Sequence, residues 1–405
     1  MLRWPAFRWL FVGSTLSSSA QWIQSVTLSW LIYEVTGSGA MLGAVNLVQS
    51  IAILGLSGVA GVAIDRLSRR RLMLLSNGWL LVVSLALGLV LLAGRTEVWY
   101  LFVFAFLSGM AQSIDLPLRQ TIVFVLVPRA LVSSAIALIQ TGWALMRSFG
   151  PAIGGFLILW VGPGGNFVLQ AAVYGLILLT VTQLTFPAQK PDVARGTALR
   201  DLREGLRYVA TERRTRAFLL MGWVLPLFII PNFSALPPIY AKDIFGGGPE
   251  VLGTMLSAVG VGGIVGGIVT AALGSVDRRG LLQLVALLLL SLTLIGFALS
   301  PNLQVALPLL GLAGFFEIIY LTTNQTLLQL SVPDALRGRV SSIINLNVGL
   351  MPIGALVAGV GADLAGPRVV TLGLSAIGAV IAVAVFFTSP TVRDYRLSQA
   401  TYPNL

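Results

Sequence analysis

The segment Gly61-Val62-Ala63-Ile64-Asp65-Arg66-Leu67-Ser68-Arg69-Arg70-Arg71 connects two long apolar stretches of the chain. It places one Asp and four Arg in a connection that is too short to form a domain. A weaker copy, Gly274-Ser275-Val276-Asp277-Arg278-Arg279-Gly280, follows another apolar stretch in the second half. A charged hinge that recurs after about half a chain predicts a polytopic membrane protein with two related halves.

The composition of the 405-residue chain is that of a helical membrane protein. Apolar residues make up 56% and charged residues 10% of the sequence, and the mean hydropathy is +0.90. Soluble domains carry roughly 25% charged residues. The net charge of +11 does not indicate nucleic-acid binding, because the arginines lie in short loops between apolar stretches. The chain has no Cys and no His, which excludes disulfides, thiol chemistry, imidazole bases and the commonest zinc sites. Since no cluster of catalytic side chains occurs near one interface either, we expect no enzyme activity, and we expect no metal and no cofactor.

Twelve apolar segments are long enough to cross a bilayer, which takes about 20 helical residues. The predicted fold class is therefore an all-α polytopic protein with twelve transmembrane helices in two six-helix pseudo-symmetric bundles. The predicted domains are an N-terminal bundle (1–187), a cytoplasmic linker (188–215), a C-terminal bundle (216–390) and a cytoplasmic tail (391–405). The predicted spans are 8–34, 41–64, 72–92, 98–117, 131–160, 166–184, 216–240, 250–274, 281–299, 303–326, 336–363 and 367–388.

The distribution of basic residues predicts the orientation. With both termini in the cytoplasm, 22 of the 26 Lys and Arg lie on the cytoplasmic side, Arg119 among them. Arg95, Lys242 and Arg368 then lie outside, and Arg147 lies within a span. This asymmetry satisfies the positive-inside rule. We expect a multi-pass protein of the inner (plasma) membrane.

The linker between the halves has a helical pattern of its own. Leu199, Leu202, Leu206 and Val209 recur at helical spacing among several arginines. The pattern predicts an amphipathic helix on the cytoplasmic membrane surface. A solvated charged linker is the alternative.

The two halves repeat in sequence. A shift of 205 residues places 107–135 on 312–340 without a gap, and ten of the 29 pairs are identical. Gly109/Gly314 and Pro128/Pro333 are among them. Six spans per half give both halves the same orientation, which predicts a parallel repeat with the substrate site near the midplane.

Several motifs together resemble the major facilitator superfamily. Gly61-x-x-x-Asp65-Arg66-x-x-Arg69-Arg70 resembles its signature loop, and Gly150-Pro151-Ala152-Ile153-Gly154-Gly155 resembles the end of its antiporter motif. Segments 30–38, 115–120 and 332–340 are similar to the drug:proton antiporter branch that holds macrolide exporters and the enterobactin exporter. The span-four Arg that the family links to proton coupling is absent from 102–106.

The resemblance implies a conformational latch at the cytoplasmic ends of the spans. In it, Asp65, Arg69 and Asp115 form a charge network, supported by Gly61 and Arg66. Asp277 and Arg278 would form the weaker second copy. The alternative is that the arginines of the loop only set membrane topology.

The glycines and prolines of two spans predict gating positions. Gly150 and Pro151 are expected to break span five, because Pro removes an internal hydrogen bond, and Gly154 and Gly155 to allow close helix approach. Tight packing alone is the alternative. Four prolines predict a broken span seven: Pro226, Pro231, Pro237 and Pro238.

Two charges, Arg147 and Glu317, are predicted to be the only ones deep in the membrane. Glu317 is a candidate proton or cation site, because an intramembrane charge is costly unless it faces a cavity or a partner. The alternative is a structural pair between Glu317 and Arg147. Polar candidates for the cavity wall are Gln21, Gln24, Gln140 and Asn345, with Trp143 among the aromatic candidates.

The resemblance and the pattern favour a secondary transporter that works by alternating access. An exporter of drugs, macrolides or a siderophore-like amphipathic molecule fits the sparsely charged cavity, with proton antiport left open. A metabolite importer or uniporter of the same fold is the alternative. The expected partners are a small-molecule substrate, protons and the lipid bilayer, with no nucleic acid, and the expected state is a monomer.

Overall fold

The computed structural model describes residues 5–128, 131–184, 207–333 and 347–399, and regular secondary structure in these ranges is helical. The predicted helical class is confirmed. Residues 185–206 and 334–346, which hold most of the predicted linker helix and Asn345, lie outside the described residues. The first five helices are α1 (Pro5–Thr36), α2 (Gly39–Arg66), α3 (Arg69–Leu92), α4 (Val98–Leu126) and α5 (Val132–Thr182).

The prolines of the predicted span seven interrupt its helix, as expected. Pro231 and Pro237 each stand in the first turn of a short helix, where the missing N–H costs nothing. The pieces are α6 (Arg213–Val224), a π-helical turn (Leu225–Ile229), α7 (Pro231–Ser234), α8 (Pro237–Ile239) and a second π-helical turn (Tyr240–Ile244).

Longer helices follow. They are α9 (Pro249–Ala272) with a 3₁₀ turn (Leu273–Ser275), α10 (Arg279–Ala298), α11 (Leu303–Leu330), α12 (Asn347–Ala365) and α13 (Pro367–Thr388). The short α14 (Pro390–Arg393) and a 3₁₀ turn (Leu397–Gln399) end the described chain.

Among the described residues, nine helical segments are long and apolar enough to cross a membrane, and Gly349–Ala365 is a shorter apolar helix. The protein is therefore a multi-pass membrane protein. The count of twelve spans stays a prediction.

The chain divides into two compact units. One holds Met1–Ala194 with Ala241–Ser257, and the other holds Arg195–Tyr240 with Ala258–Leu405. Each has its own apolar core, around Tyr174 in the first unit. Tyr320 belongs to the core of the second. The predicted domain boundaries stay predictions.

Two predicted helix boundaries are wrong. Helix α4 does not end at 117 but runs to Leu126 through Pro117, because one lost hydrogen bond does not stop a helix that other helices support. Helix α5 does not break at Gly150–Pro151 either. Two helical parts of α5 instead meet at a kink at Gly162, whose φ of 71° is a conformation that only glycine adopts without strain.

Candidate functional site

A cavity of about 490 Å³ lies between α1, α4 and α5 of the first unit. Its lining combines polar and apolar side chains. The polar lining consists of Ser14, Ser17, Ser18, Gln21, Arg119 and Gln140. The apolar lining consists of Val123, Phe124, Ile136, Ile139 and Trp143. We call this space the α1–α4–α5 cavity.

Three of the predicted lining residues therefore meet in one place. Gln21 lies one turn after Ser17, and its Nε2 donates a hydrogen bond to the Ser17 hydroxyl oxygen at 3.4 Å. Gln140 and Trp143 stand on α5, and the Trp143 ring packs 6.0 Å from that of Trp22. A lining that combines polar side chains with aromatic and aliphatic ones suits a molecule that is itself amphipathic.

The charged group of this cavity is Arg119, which the sequence pattern had placed in a cytoplasmic loop. Its Nε donates to Asp115 Oδ2 at 2.6 Å and its Nη2 donates to Asn77 Oδ1 at 3.1 Å. Asn77 Nδ2 in turn donates to Asp115 Oδ1 at 3.0 Å. The side chain of Asp115 is 1% exposed and that of Arg119 12% exposed. Asp115 and Arg119 are therefore two further charges buried in the protein, whereas the depth of Arg147 and Glu317 in the membrane stays a prediction.

The longer helix α4 explains why Arg119 lies beside the cavity. With a span ending at 117, Arg119 lies outside, whereas in the longer α4 it is followed by two further turns. The signal that could have found it is the spacing: Asp115 and Arg119 are four residues apart, the distance at which opposite charges pair on a helix. Asn77 is a single amide in an apolar segment, and no sequence pattern indicates its hydrogen-bond partner.

Gln24 has a different place from the one predicted. Its Oε1 accepts from Gln170 at 2.7 Å and its Nε2 donates to Ser108 at 3.4 Å. Nearby, Asn166 donates to Thr27 at 2.7 Å. All five side chains are buried. This network ties α1 to α4 and α5 inside the unit, so Gln24 stands behind the cavity wall and not on it.

The Gly150–Gly155 motif brings α5 into contact with α1 and with the start of α9. A Cβ on Gly150 would lie 2.8 Å from Trp22 Cβ, and one on Gly155 would lie 2.3 Å from the carbonyl oxygen of Pro249. Gly154 faces the Cα of Ile23 at 3.3 Å. Close packing accounts for these glycines, while their role in gating stays a prediction.

A polar cluster lies beside this contact, at the end of α1. The hydroxyl of Tyr33 donates to Asp243, and the ammonium of Lys242 lies 5.6 Å from the centre of the Tyr33 ring. Tyr33 belongs to the segment 30–38 that resembles drug exporters. Asp243 and Lys242 belong to the second π-helical turn, which packs with the first unit. We call Tyr33, Lys242 and Asp243 the tyrosine cluster.

The predicted cytoplasmic latch is only partly visible. Helices α2 and α3 are joined by two residues, and Arg70 Nη2 donates to the carbonyl of Thr182 at the end of α5 at 3.2 Å. The Asp65 side chain lies outside the described residues. The described partners of Asp115 are Arg119, Asn77 and Ser76. The Asp65–Arg69–Asp115 network stays a prediction.

The second copy of the loop binds the end of the chain. Asp277 accepts the backbone N–H of Ser398 at 2.8 Å and its hydroxyl at 3.1 Å. The carbonyl of Asp277 accepts the N–H of Leu397 at 2.9 Å. Hydrogen bonds from Ser398, its backbone N–H first, lower the pKa of the partly exposed Asp277 carboxyl. The loop thus holds the tail, a contact that the sequence pattern did not suggest.

The remaining candidates are placed as follows. The Arg147 guanidinium lies 5.8 Å from the centre of the Trp143 ring. Glu317 is 2% exposed on α11. Whether they pair, and whether Glu317 binds a proton or cargo, stays a prediction. No cluster of acidic side chains suited to a metal ion occurs among the described residues.

Comparison with known proteins now identifies the relatives. Residues 1–401 match the family of transmembrane secretion effectors, a family of major facilitator transporters. The staphyloferrin A transporter of Staphylococcus aureus is 26% identical over 94% of this chain and 95% of its own. The multidrug efflux pump Tap of Mycolicibacterium fortuitum is 26% identical over 98% of each chain.

The enterobactin exporter EntS of Escherichia coli is 26% identical over 88% of this chain and 86% of its own. Among solved structures, a bacterial homologue of the human lysosomal transporter Spinster superposes with a TM-score of 0.76. The superposition covers 99% of each chain, and the two sequences are 16% identical. This likeness supports the fold alone. The resemblance drawn from the sequence motifs is confirmed.

Proposed function

The chain belongs to the transmembrane secretion effector family of major facilitator transporters, and from that premise we propose that it exports an amphipathic small molecule by alternating access. The observation that carries the proposal is the α1–α4–α5 cavity. Its volume of about 490 Å³ lies within the range of about 300–1,000 Å³ that drug-sized ligands occupy. The relatives named for drugs and siderophores support the same class of cargo.

Two of the elements that line the cavity also make close contacts without room for a Cβ. Helix α5 lies against α1 at Gly150 and against the start of α9 at Gly155. With both termini in the cytoplasm, these contacts and the tyrosine cluster lie at the outer end of the spans. We propose that they close the outer side while the cavity loads from the cytoplasm, and that they separate when cargo leaves.

The driving ion is proposed to be the proton. Glu317 is the candidate carrier, because it is an acid buried on a membrane helix and such groups commonly belong to ion pathways. Transport by Glu317→Gln is expected to lose its dependence on pH. An unchanged pH profile removes Glu317 from coupling and leaves export itself untouched.

Everted membrane vesicles test export directly. Vesicles that contain the protein are expected to accumulate fluorescent dyes or macrolides when a proton gradient is imposed. Ser18→Trp, which fills the cavity from α1, should abolish accumulation. Val12→Trp, on an exposed position of the same helix outside the cavity lining, should not. Accumulation only in right-side-out vesicles favours the importer alternative, and transport without a gradient favours a uniporter.

A further inference from the structure

Arg119 has one donor group that the bundle does not use. Its Nε is taken by Asp115 and its Nη2 by Asn77, whereas Nη1 is buried and has no hydrogen-bond partner among the described residues. A buried donor without an acceptor costs free energy. The same side chain lines the α1–α4–α5 cavity. The Arg119 guanidinium therefore lies beside the cavity with one N–H group, Nη1, that lacks an acceptor in the described part of the chain.

The acidic partner of the pair is fully engaged. Asp115 Oδ2 accepts from Arg119, and Oδ1 accepts from Asn77 at 3.0 Å and from Ser76 at 3.5 Å. A cationic cargo thus finds no free carboxylate here. A cargo with an acceptor oxygen can instead accept a hydrogen bond from Arg119 Nη1. A negatively charged oxygen forms the stronger, charge-assisted bond.

We propose that Arg119 selects cargo that carries a carboxylate or a similar anionic oxygen next to an apolar part. The anionic oxygen of the cargo accepts a hydrogen bond from Nη1, which a small tilt of the guanidinium brings to the cavity. The hydrogen bonds from Nε to Asp115 and from Nη2 to Asn77 are kept. The apolar part packs on Phe124, Ile139 and Trp143. This rests on the cavity of the proposed export function and names the chemical class that it prefers.

Equilibrium binding to the purified full-length protein tests this without any transport. The probes are dansyl-leucine and its carboxamide, which share the fluorophore and the apolar side chain and differ in the carboxylate. Arg119→Gln is expected to weaken dansyl-leucine binding at least about tenfold, as loss of a charge-assisted bond predicts, and to change carboxamide binding less than about twofold. Arg119→Lys should restore part of the difference. Arg95→Gln removes an exposed charge outside the cavity and should change neither.

Because Arg119→Gln leaves Asp115 buried without its arginine, Asp115→Asn/Arg119→Gln provides a second, uncharged variant, which should also lose the preference for the acid. Equal losses for both probes, or no loss, overturn the proposal. Equal wild-type affinities for acid and carboxamide overturn it too and leave export of amphipathic cargo standing. Wild-type protein that binds neither probe contradicts both. Acid-selective binding without export in vesicles supports Arg119 and refutes the export function.

Discussion

Helices α4 and α11 are the two copies of one repeat element, and their buried polar groups differ. Val98 and Leu303, the first residues of the two helices, are 205 residues apart, which is the shift found in the sequence. The same shift places Asp115 on Tyr320 and Arg119 on Asn324. In α4 these positions hold an ion pair beside a cavity. In α11 they hold neutral side chains, and Asn324 Nδ2 donates to the carbonyl of Phe218 at 3.0 Å.

A close glycine contact occurs in both copies of the repeat, although the polar side chains differ. A Cβ on Gly109 would lie 2.6 Å from the carbonyl oxygen of Gln49 on α2, and one on Gly314 would lie 2.0 Å from that of Val259 on α9. Each glycine thus serves a close helix contact in its own unit. The comparison teaches that the glycine contact recurs in both copies, whereas at these two positions only the first copy holds charged side chains.

The largest effect is expected from breaking the ion pair. Asp115→Ala leaves Arg119 buried without a counter-charge, which typically costs about 3–5 kcal/mol. Unfolding in mixed micelles should report this loss. Asp115→Ala/Arg119→Ala should cost less than the single change, because no charge is stranded. A single variant as stable as wild type would show that water or lipid already solvates the pair.

The shared glycine contact should give the next largest effect. Gly314→Ala and Gly109→Ala each force two helices apart, at about 1–3 kcal/mol for overpacking, with Gly314→Ala the more severe because its Cβ has less room. Gly78→Ala is the control, since nothing lies within 4 Å of its Cβ. Melting temperatures in detergent measure all three. Equal stability of Gly314→Ala and Gly78→Ala would contradict the packing role.

Tyr320, the neutral counterpart of Asp115, should tolerate loss of its hydrogen bond. Tyr320→Phe removes the bond that the hydroxyl donates to the carbonyl of Met221, at about 1 kcal/mol. Dansyl-leucine binding should be unchanged, in contrast with Arg119→Gln. A changed ratio of acid to carboxamide affinity in Tyr320→Phe would show that the second copy also takes part in selection.

The smallest effect concerns the charged loops. Hydrogen bonds from Ser398 lower the pKa of Asp277, so the ionised carboxylate stabilises the docked tail. This stabilisation is complete at pH values above the ordinary carboxyl pKa and is lost as the pH falls through the lowered pKa. Arg396 adds a further lowering charge. A spin label on Gln399→Cys, in a chain with no other Cys, should become more mobile as the pH is lowered from neutral to below the ordinary carboxyl range.

Asp277→Asn is the matched control for the tail measurement. It should leave the label mobile at every pH, because the amide lacks the charge that strengthens the two bonds. Asp394→Asn should keep most of the pH response, although Arg393 lowers the pKa of Asp394 as well. A wild-type label that shows no change with pH would mean that Asp277 does not hold the tail.

Proline shows how far sequence alone can go. Pro226, Pro231 and Pro237 were predicted to break span seven, and short helices and π-helical turns occur there. Pro151 was predicted to break span five, yet the helix continues past it to Gly162, and Pro117 likewise lies within α4. A single proline removes one hydrogen bond, and neighbouring helices can absorb that cost, so its effect depends on contacts that the chain order does not reveal.

Hydropathy, basic-residue asymmetry and the 205-residue repeat determined by themselves that this is a duplicated helical membrane protein, because a bilayer imposes length and polarity on each segment independently. Only the tertiary structure decided that Arg119 leaves the loop for a cavity, that Gln24 stands behind the wall, and that Asp277 holds the tail. Such contacts join residues 38 to 146 positions apart. Helical periodicity identifies the face on which a side chain lies but not the helix that meets that face.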